Sequence, residues 1–140
     1  MDDLLREFVT ETNESLDVVD NELVRFEQEP SNKQILDRVF RLVHTIKGTC
    51  GFLNLPRLEA LAHAAEHLMG KFRDGPVATP EAVALILQTI DRIKEILSAI
   101  EREQREPEGN DSDLIGLLHG LASSLIERSK QQAEAAAPES

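Results

Sequence analysis

The strongest constraint on the fold of this chain is the spacing of its apolar residues. Almost everywhere they recur every three to four positions, and the strict alternation of a half-buried strand is nearly absent. Leu5, Phe8, Thr12, Leu16, Val19, Leu23 and Phe26 fall on one face, which predicts a helix over about 4–28, stopped by Pro30. Ser31 or Asn32 can cap the next helix, whose inward positions are Ile35, Val39, Leu42, Val43, Ile46, Cys50 and Leu53. Asn54-Leu55-Pro56 turns the chain into a third stripe at Leu58, Leu61, Ala62, Ala65, Leu68, Met69 and Phe72, closed by Asp74-Gly75-Pro76. Thr79-Pro80-Glu81 starts a fourth helix: a hydroxyl cap, proline at the first helical position and an acid on the helix dipole. Its seam is Val83, Ile86, Ile90, Ile93, Leu97 and Ile100.

These stripes predict an all-α protein, an antiparallel four-helix bundle over 1–103. A polar segment, 104–113, reads as a linker. Leu114, Leu117, Leu118, Leu121, Leu125 and Ile126 predict a fifth helix over 114–130 packed on the bundle, and the Ala/Glu/Pro-rich 131–140 reads as a flexible tail. No internal repeat is visible.

Charge narrows the function. The 140 residues carry 15 Lys+Arg against 26 Asp+Glu, a net charge of -11, which disfavours a nucleic-acid binder. No apolar run reaches the roughly 18 residues of a membrane span. The N-terminus lacks signal-peptide character and the one cysteine excludes an internal disulfide framework, so a cytoplasmic domain is expected. The charge is uneven: residues 1–30 are net -8, 31–75 net +3 and 76–140 net -6. Arg38, Arg41, Lys47, Arg57, Lys71 and Arg73 fall in the middle third, which reads as a basic docking region.

The second helix carries the chemistry. His44 lies about 130° from the centre of the apolar face, on the solvent side, with Gly48 and Gly51 near it and Lys47 one turn on. Glycine inside an exposed helix costs about 1 kcal/mol against alanine. Two of them beside a histidine can clear a surface for a partner's backbone, or can sit near a helix end to permit close packing. On the third helix, His63, Glu66 and Gly70 share a side. In a hairpin of helices two and three, Glu66 can accept a hydrogen bond from Nδ1 of His44 and leave Nε2 as the nucleophile, or can be a plain surface carboxylate. Cys50 points inward and reads as a small buried hydrophobe. No nucleotide-binding loop follows Gly48-Thr49-Cys50-Gly51. His63-Ala64-Ala65-Glu66-His67 also matches the H-x-x-E-H zinc pattern, though a third ligand is not evident and no metal is expected.

The run His44-Thr45-Ile46-Lys47-Gly48-Thr49-Cys50-Gly51-Phe52-Leu53, continuing through Leu58-Glu59-Ala60-Leu61-Ala62-His63-Ala64-Ala65-Glu66, resembles the histidine phosphotransfer (HPt, or P1) domain of CheA-type chemotaxis histidine kinases. The resemblance covers roughly 1–128 and is tightest over 40–75. It implies that His44 is phosphorylated, that Lys47 interacts with phosphoryl oxygens, that Glu66 bonds the reactive ring and that His63 belongs to the same polar cluster. Arg41, Gly48, Gly51 and Gly70 are then candidates for partner docking. It further implies a two-component phosphocarrier with no ATP site of its own. Its partners would be a kinase ATP-binding domain using Mg-ATP and a CheY-like response regulator with its own Mg²⁺. The chain would be an excised domain of such a kinase or a stand-alone phosphotransfer protein. A helical interaction module without chemistry is the alternative.

Overall fold

A computed structural model describes the backbone of residues 3–136 and the side chains of 3–126. Five helices follow one another: α1 Asp3–Gln28, α2 Lys33–Phe52, α3 Pro56–Arg73, α4 Pro80–Glu103 and α5 Ser112–Ala136. There is no strand among the described residues. The first four close an antiparallel bundle in which α1 packs on α2, α2 on α3, α3 on α4 and α4 on α1; α5 packs on α3 and, less extensively, on α4.

The expected stripes form one core. Leu16, Val19, Leu23 and Phe26 of α1 meet Val39 and Val43 of α2, Leu61, Leu68 and Phe72 of α3, and Ile86, Ile90, Ile93 and Leu97 of α4. Leu114, Leu118, Ala122 and Leu125 seal α5 onto it. At roughly 1.5–3 kcal/mol for each large side chain buried, this continuous seam holds the helices together. Asn32 is the residue that caps α2, its Oδ1 accepting from the backbone N–H groups of Gln34 and Ile35. Thr79 caps α4 by accepting from Ala82 N.

One sequence expectation changes. The fifth helix does not end at 130 but continues to Ala136, since Gln, Ala and Glu are all strong helix formers; the rest of the expected tail, 137–140, lies outside the described residues. The expected linker before α5 is a loop, and it is tied down on α3. Leu55, at the start of α3, supplies no side-chain cap. Glu106 does so from 48 residues away, its two oxygens each accepting at 3.0 Å, one from Arg57 N and one from Leu58 N. A carboxylate on orphan N–H groups at the positive end of the helix dipole is doubly favourable. Beside it, Asp111 is 2% exposed and accepts from Arg57 at 2.8 and 3.1 Å and from Arg92 of α4 at 3.0 Å. Burial pushes the Asp111 carboxyl up, but the two guanidinium groups outweigh it and hold it below its ordinary value.

Candidate functional site

α2 and α3 are the closest-packed pair of helices, and their shared edge carries the site. The apolar residues of α2 turn Val43 and Ile46 inward, which forces His44, one step round the helix, outward. On α3 the same logic buries Ala62, Ala65 and Met69 and leaves Glu66 at the boundary. The two side chains meet there: His44 Nδ1 lies 3.0 Å from Glu66 Oε1. The His44 side chain is 60% exposed and Glu66 only 14%.

The tautomer follows from this contact. A carboxylate can only accept, so Nδ1 carries the proton and Nε2, on the far side of the ring, keeps its lone pair. Lys47, one turn along α2, brings Nζ to 2.9 Å from Glu66 Oε2. That is a close ion pair on the carboxylate oxygen that His44 leaves free. Burial pushes the Glu66 carboxyl up; Lys47 and then His44 pull it down, and the balance lies below the ordinary carboxylate value. Glu66 is therefore an anion at neutral pH, poised to stabilise positive charge on the ring.

The surroundings are open. A shallow depression of about 430 Å³ next to His44 is lined by Asp37, Phe40, Arg41, Thr45, Glu66 and Arg73. The Phe40 ring lies parallel to His44 with centroids 6.4 Å apart, and the Arg73 guanidinium sits 4.1 Å above the Phe40 centroid. Sequence reasoning passed over Phe40, and named Arg73 only as part of the basic middle third, not as a neighbour of His44. Phe40 had a signal, being one turn before His44 on the same side of α2; Arg73 had none, because its approach is across helices.

The candidates separate as follows. His44, Lys47 and Glu66 converge. His63 lines a neighbouring depression with Glu66, Phe40 and Gly70, and makes no hydrogen bond or ion pair to the other three. Arg41 is exposed beside His44 and pairs with Asp37 at 3.0 Å. A Cβ added at Gly48 would meet nothing within 4 Å, one at Gly51 only the Glu59 side chain, and one at Gly70 only Phe40 at 3.7 Å. Internal packing thus demands neither Gly48 nor Gly70, while at Gly51 the Glu59 carboxylate, 3.3 Å from the added atom, would have to give way. Cys50 is fully buried, and its thiol is pushed up to about 12 by burial, then by Glu106 and Glu59. The zinc-pattern residues diverge: Glu66 turns to α2 while the His67 ring packs 5.6 Å from His119 of α5. Among the described residues no group of three or more His, Cys, Asp or Glu is placed to hold a metal ion.

Most of the basic side chains of the expected docking region are paired within the chain. Arg57 is held by the buried Asp111. Arg38 pairs with Glu22 of α1 at 3.0 Å, Lys47 with Glu66, and Arg73 with Asp74 at 3.2 Å. Glu66 and Asp74 are already in the count for 31–75, but Glu22 and Asp111 come from other segments and a count along the chain cannot see them.

Comparison with known proteins supplies a family and a fold. The sequence pattern of the Hpt domain matches residues 3–103. "Sensor histidine kinase CheAY" of Helicobacter pylori is 31% identical over 140 residues, covering 94% of this chain and 17% of its own length. "Chemotaxis protein CheA" of Halobacterium salinarum is 35% identical over 102 residues, covering 72% and 15%. The chain thus spans less than a fifth of the length of these curated relatives. Among solved structures, the phosphorylated P1 domain of CheA3 in complex with CheY6 from R. sphaeroides superposes with a TM-score of 0.80 at 26% identity, covering 89% of this chain and 99% of that one. The CheA phosphotransferase domain from Thermotoga maritima gives 0.67 at 26% identity, covering 71% and 98%. No helix among the described residues is long and apolar enough to cross a membrane.

Proposed function

Since the chain belongs to the Hpt domain family, we propose that it is the phosphoryl-carrying domain of a CheA-type chemotaxis kinase and that His44 is the carrier. The observation that bears most of the weight is an exposed imidazole whose Nδ1 is held 3.0 Å from a half-sunken carboxylate. The neutral Nε2 attacks the γ-phosphorus of an ATP presented, with its Mg²⁺, by a kinase ATP-binding domain. The N–P bond forms as the bond to the bridging oxygen breaks, and ADP leaves with that electron pair. Nδ1 keeps its proton, so the ring gains positive charge, which Glu66 offsets. Lys47, beside Glu66, lies one helical turn from the phosphoryl group and can meet its oxygens.

In the second step an aspartate of a CheY-like response regulator, which brings its own Mg²⁺, attacks phosphorus. The N–P electron pair returns to Nε2 and neutral imidazole is regenerated. The domain needs only a rigid helix and an oriented nucleophile, which the α2–α3 edge supplies. ATP and the regulator are both cytoplasmic species, so the reading places the domain there. The test is His44→Gln labelled with ATP and a CheA-type kinase: the expected result is complete loss of acid-labile, base-stable phosphate in a protein with the wild-type helical signal. Full labelling of that variant overturns the assignment.

A further inference from the structure

The face of α2 that carries His44 continues past it. At about 100° per residue, Gly48, Gly51 and Phe52 all follow within about 80° of His44. Phe52 is 79% exposed, the most exposed large apolar side chain among the described residues. It closes α2 about two turns from His44, roughly 12 Å along the axis. A single exposed hydrophobe needs no explanation by itself. This one stands at the end of a cleared strip. Glycine is unfavourable inside a helix, yet Gly48 would accept a Cβ into open space and Gly51 would touch only the mobile end of Glu59. The strip thus runs from nucleophile to aromatic ring over bare backbone.

The surrounding charges do not supply an attraction of comparable reach. Arg41, Lys47 and Arg73 each have a carboxylate within 4 Å. A partner that takes the phosphoryl group must cover His44, and an ordinary interface buries about 800 Å² on each side. Such a patch is about 16 Å in radius, so Phe52 falls inside it. Buried aromatic anchors dominate interfaces of this kind. Of the two partners, the regulator needs the anchor more. Its acceptor aspartate is fixed to its own fold and reaches Nε2 only if the whole domain docks in register, whereas a γ-phosphoryl group is presented on the end of a small molecule.

Resting on the phosphocarrier reading, we propose that Phe52 is the apolar anchor for the response regulator, which lays its backbone along Gly48 and Gly51 and receives the ring in an apolar pocket about 12 Å from its phosphorylated aspartate. The test uses phosphorylated wild type, Phe52→Ala and Phe52→Leu, each mixed with a purified CheY-type regulator and Mg²⁺. For Phe52→Ala the KM for the regulator rises at least about tenfold, the rate at saturation stays within about twofold, and phosphorylation by the kinase changes less than about threefold. Phe52→Leu recovers most of the KM. A KM within twofold of wild type, or an equal loss in the kinase step, overturns the anchor while leaving the carrier role intact. Labelling that survives His44→Gln overturns the carrier role itself, so the two failures are told apart.

Discussion

Gly48 offers a perturbation in which stability and function should move in opposite directions. It is exposed, lies within α2, and an added Cβ meets nothing within 4 Å. Replacing an exposed helical glycine by alanine contributes about 1 kcal/mol; four residues from the end of α2 the gain falls to roughly half of that or somewhat more. For a domain of this size that raises Tm by about 2–5 °C. Gly48→Gln has nearly the same helix propensity gain, but it plants a long side chain one turn from the nucleophile. If a partner's backbone must lie there, the misfit costs about 1–3 kcal/mol, as overpacking does in a core. That corresponds to about a five- to hundredfold loss in apparent affinity. The assay pairs thermal unfolding followed by circular dichroism with phosphotransfer at varied regulator concentration. The expected pattern is a Gly48→Gln protein that melts no lower than wild type and transfers at least about fivefold more slowly at subsaturating regulator. A fall in Tm for Gly48→Ala would show that the glycine serves the fold. Unchanged transfer by Gly48→Gln would show that no partner reaches this strip.

Glu66→Ala removes a charge-assisted acceptor and should slow phosphorylation by the kinase about ten- to hundredfold, with Lys47→Ala slower by less; wild-type rates in Glu66→Ala would remove it from the mechanism. Asp111→Ala leaves Arg57 and Arg92 without their buried partner and should cost about 3–5 kcal/mol in urea unfolding, against a loss under 1 kcal/mol if the network is idle. Because the Asp111 carboxyl is held below its ordinary value of 3.8, its contribution is complete above that pH and lost as pH falls through its lower folded value. Acid unfolding of Asp111→Asn should therefore be shallower than that of wild type. Cys50 alkylation at pH 8 should be at least about a thousandfold slower in the folded protein than in urea, following the smaller thiolate fraction; fast labelling would mean that the core opens readily.

How much of this was legible follows physical reach. The helices were, because a 3.6-residue stripe is written in consecutive residues and the caps at Asn32 and Thr79 are local. Helix phase allowed the Glu66 contact to His44 but did not decide it against a plain surface carboxylate; the family resemblance implied it. What failed was long-range. Glu106 and Asp111 lie 48 to 54 residues from Arg57 and Leu58, and nothing near Arg57 signals that it is consumed there. The paired state of Arg38 depends on Glu22 of another helix. Phe52 was hidden for a different reason: composition counts every phenylalanine as core, and only the end of α2 shows that this one has no core to enter.

The clasp of Glu106 and Asp111 on α3 bears on where the domain can be cut. The family pattern stops at residue 103, just short of the residues that close the first turn of α3. A chain trimmed at that border would keep every residue of the His44 site and yet release two backbone N–H groups and a guanidinium at the root of the helix that holds Glu66. Its histidine would still be presented, but the carboxylate steadying it would hang from a fraying support. On the phosphocarrier reading, the loop before α5 would therefore bear on the rate of phosphoryl transfer through α3 alone.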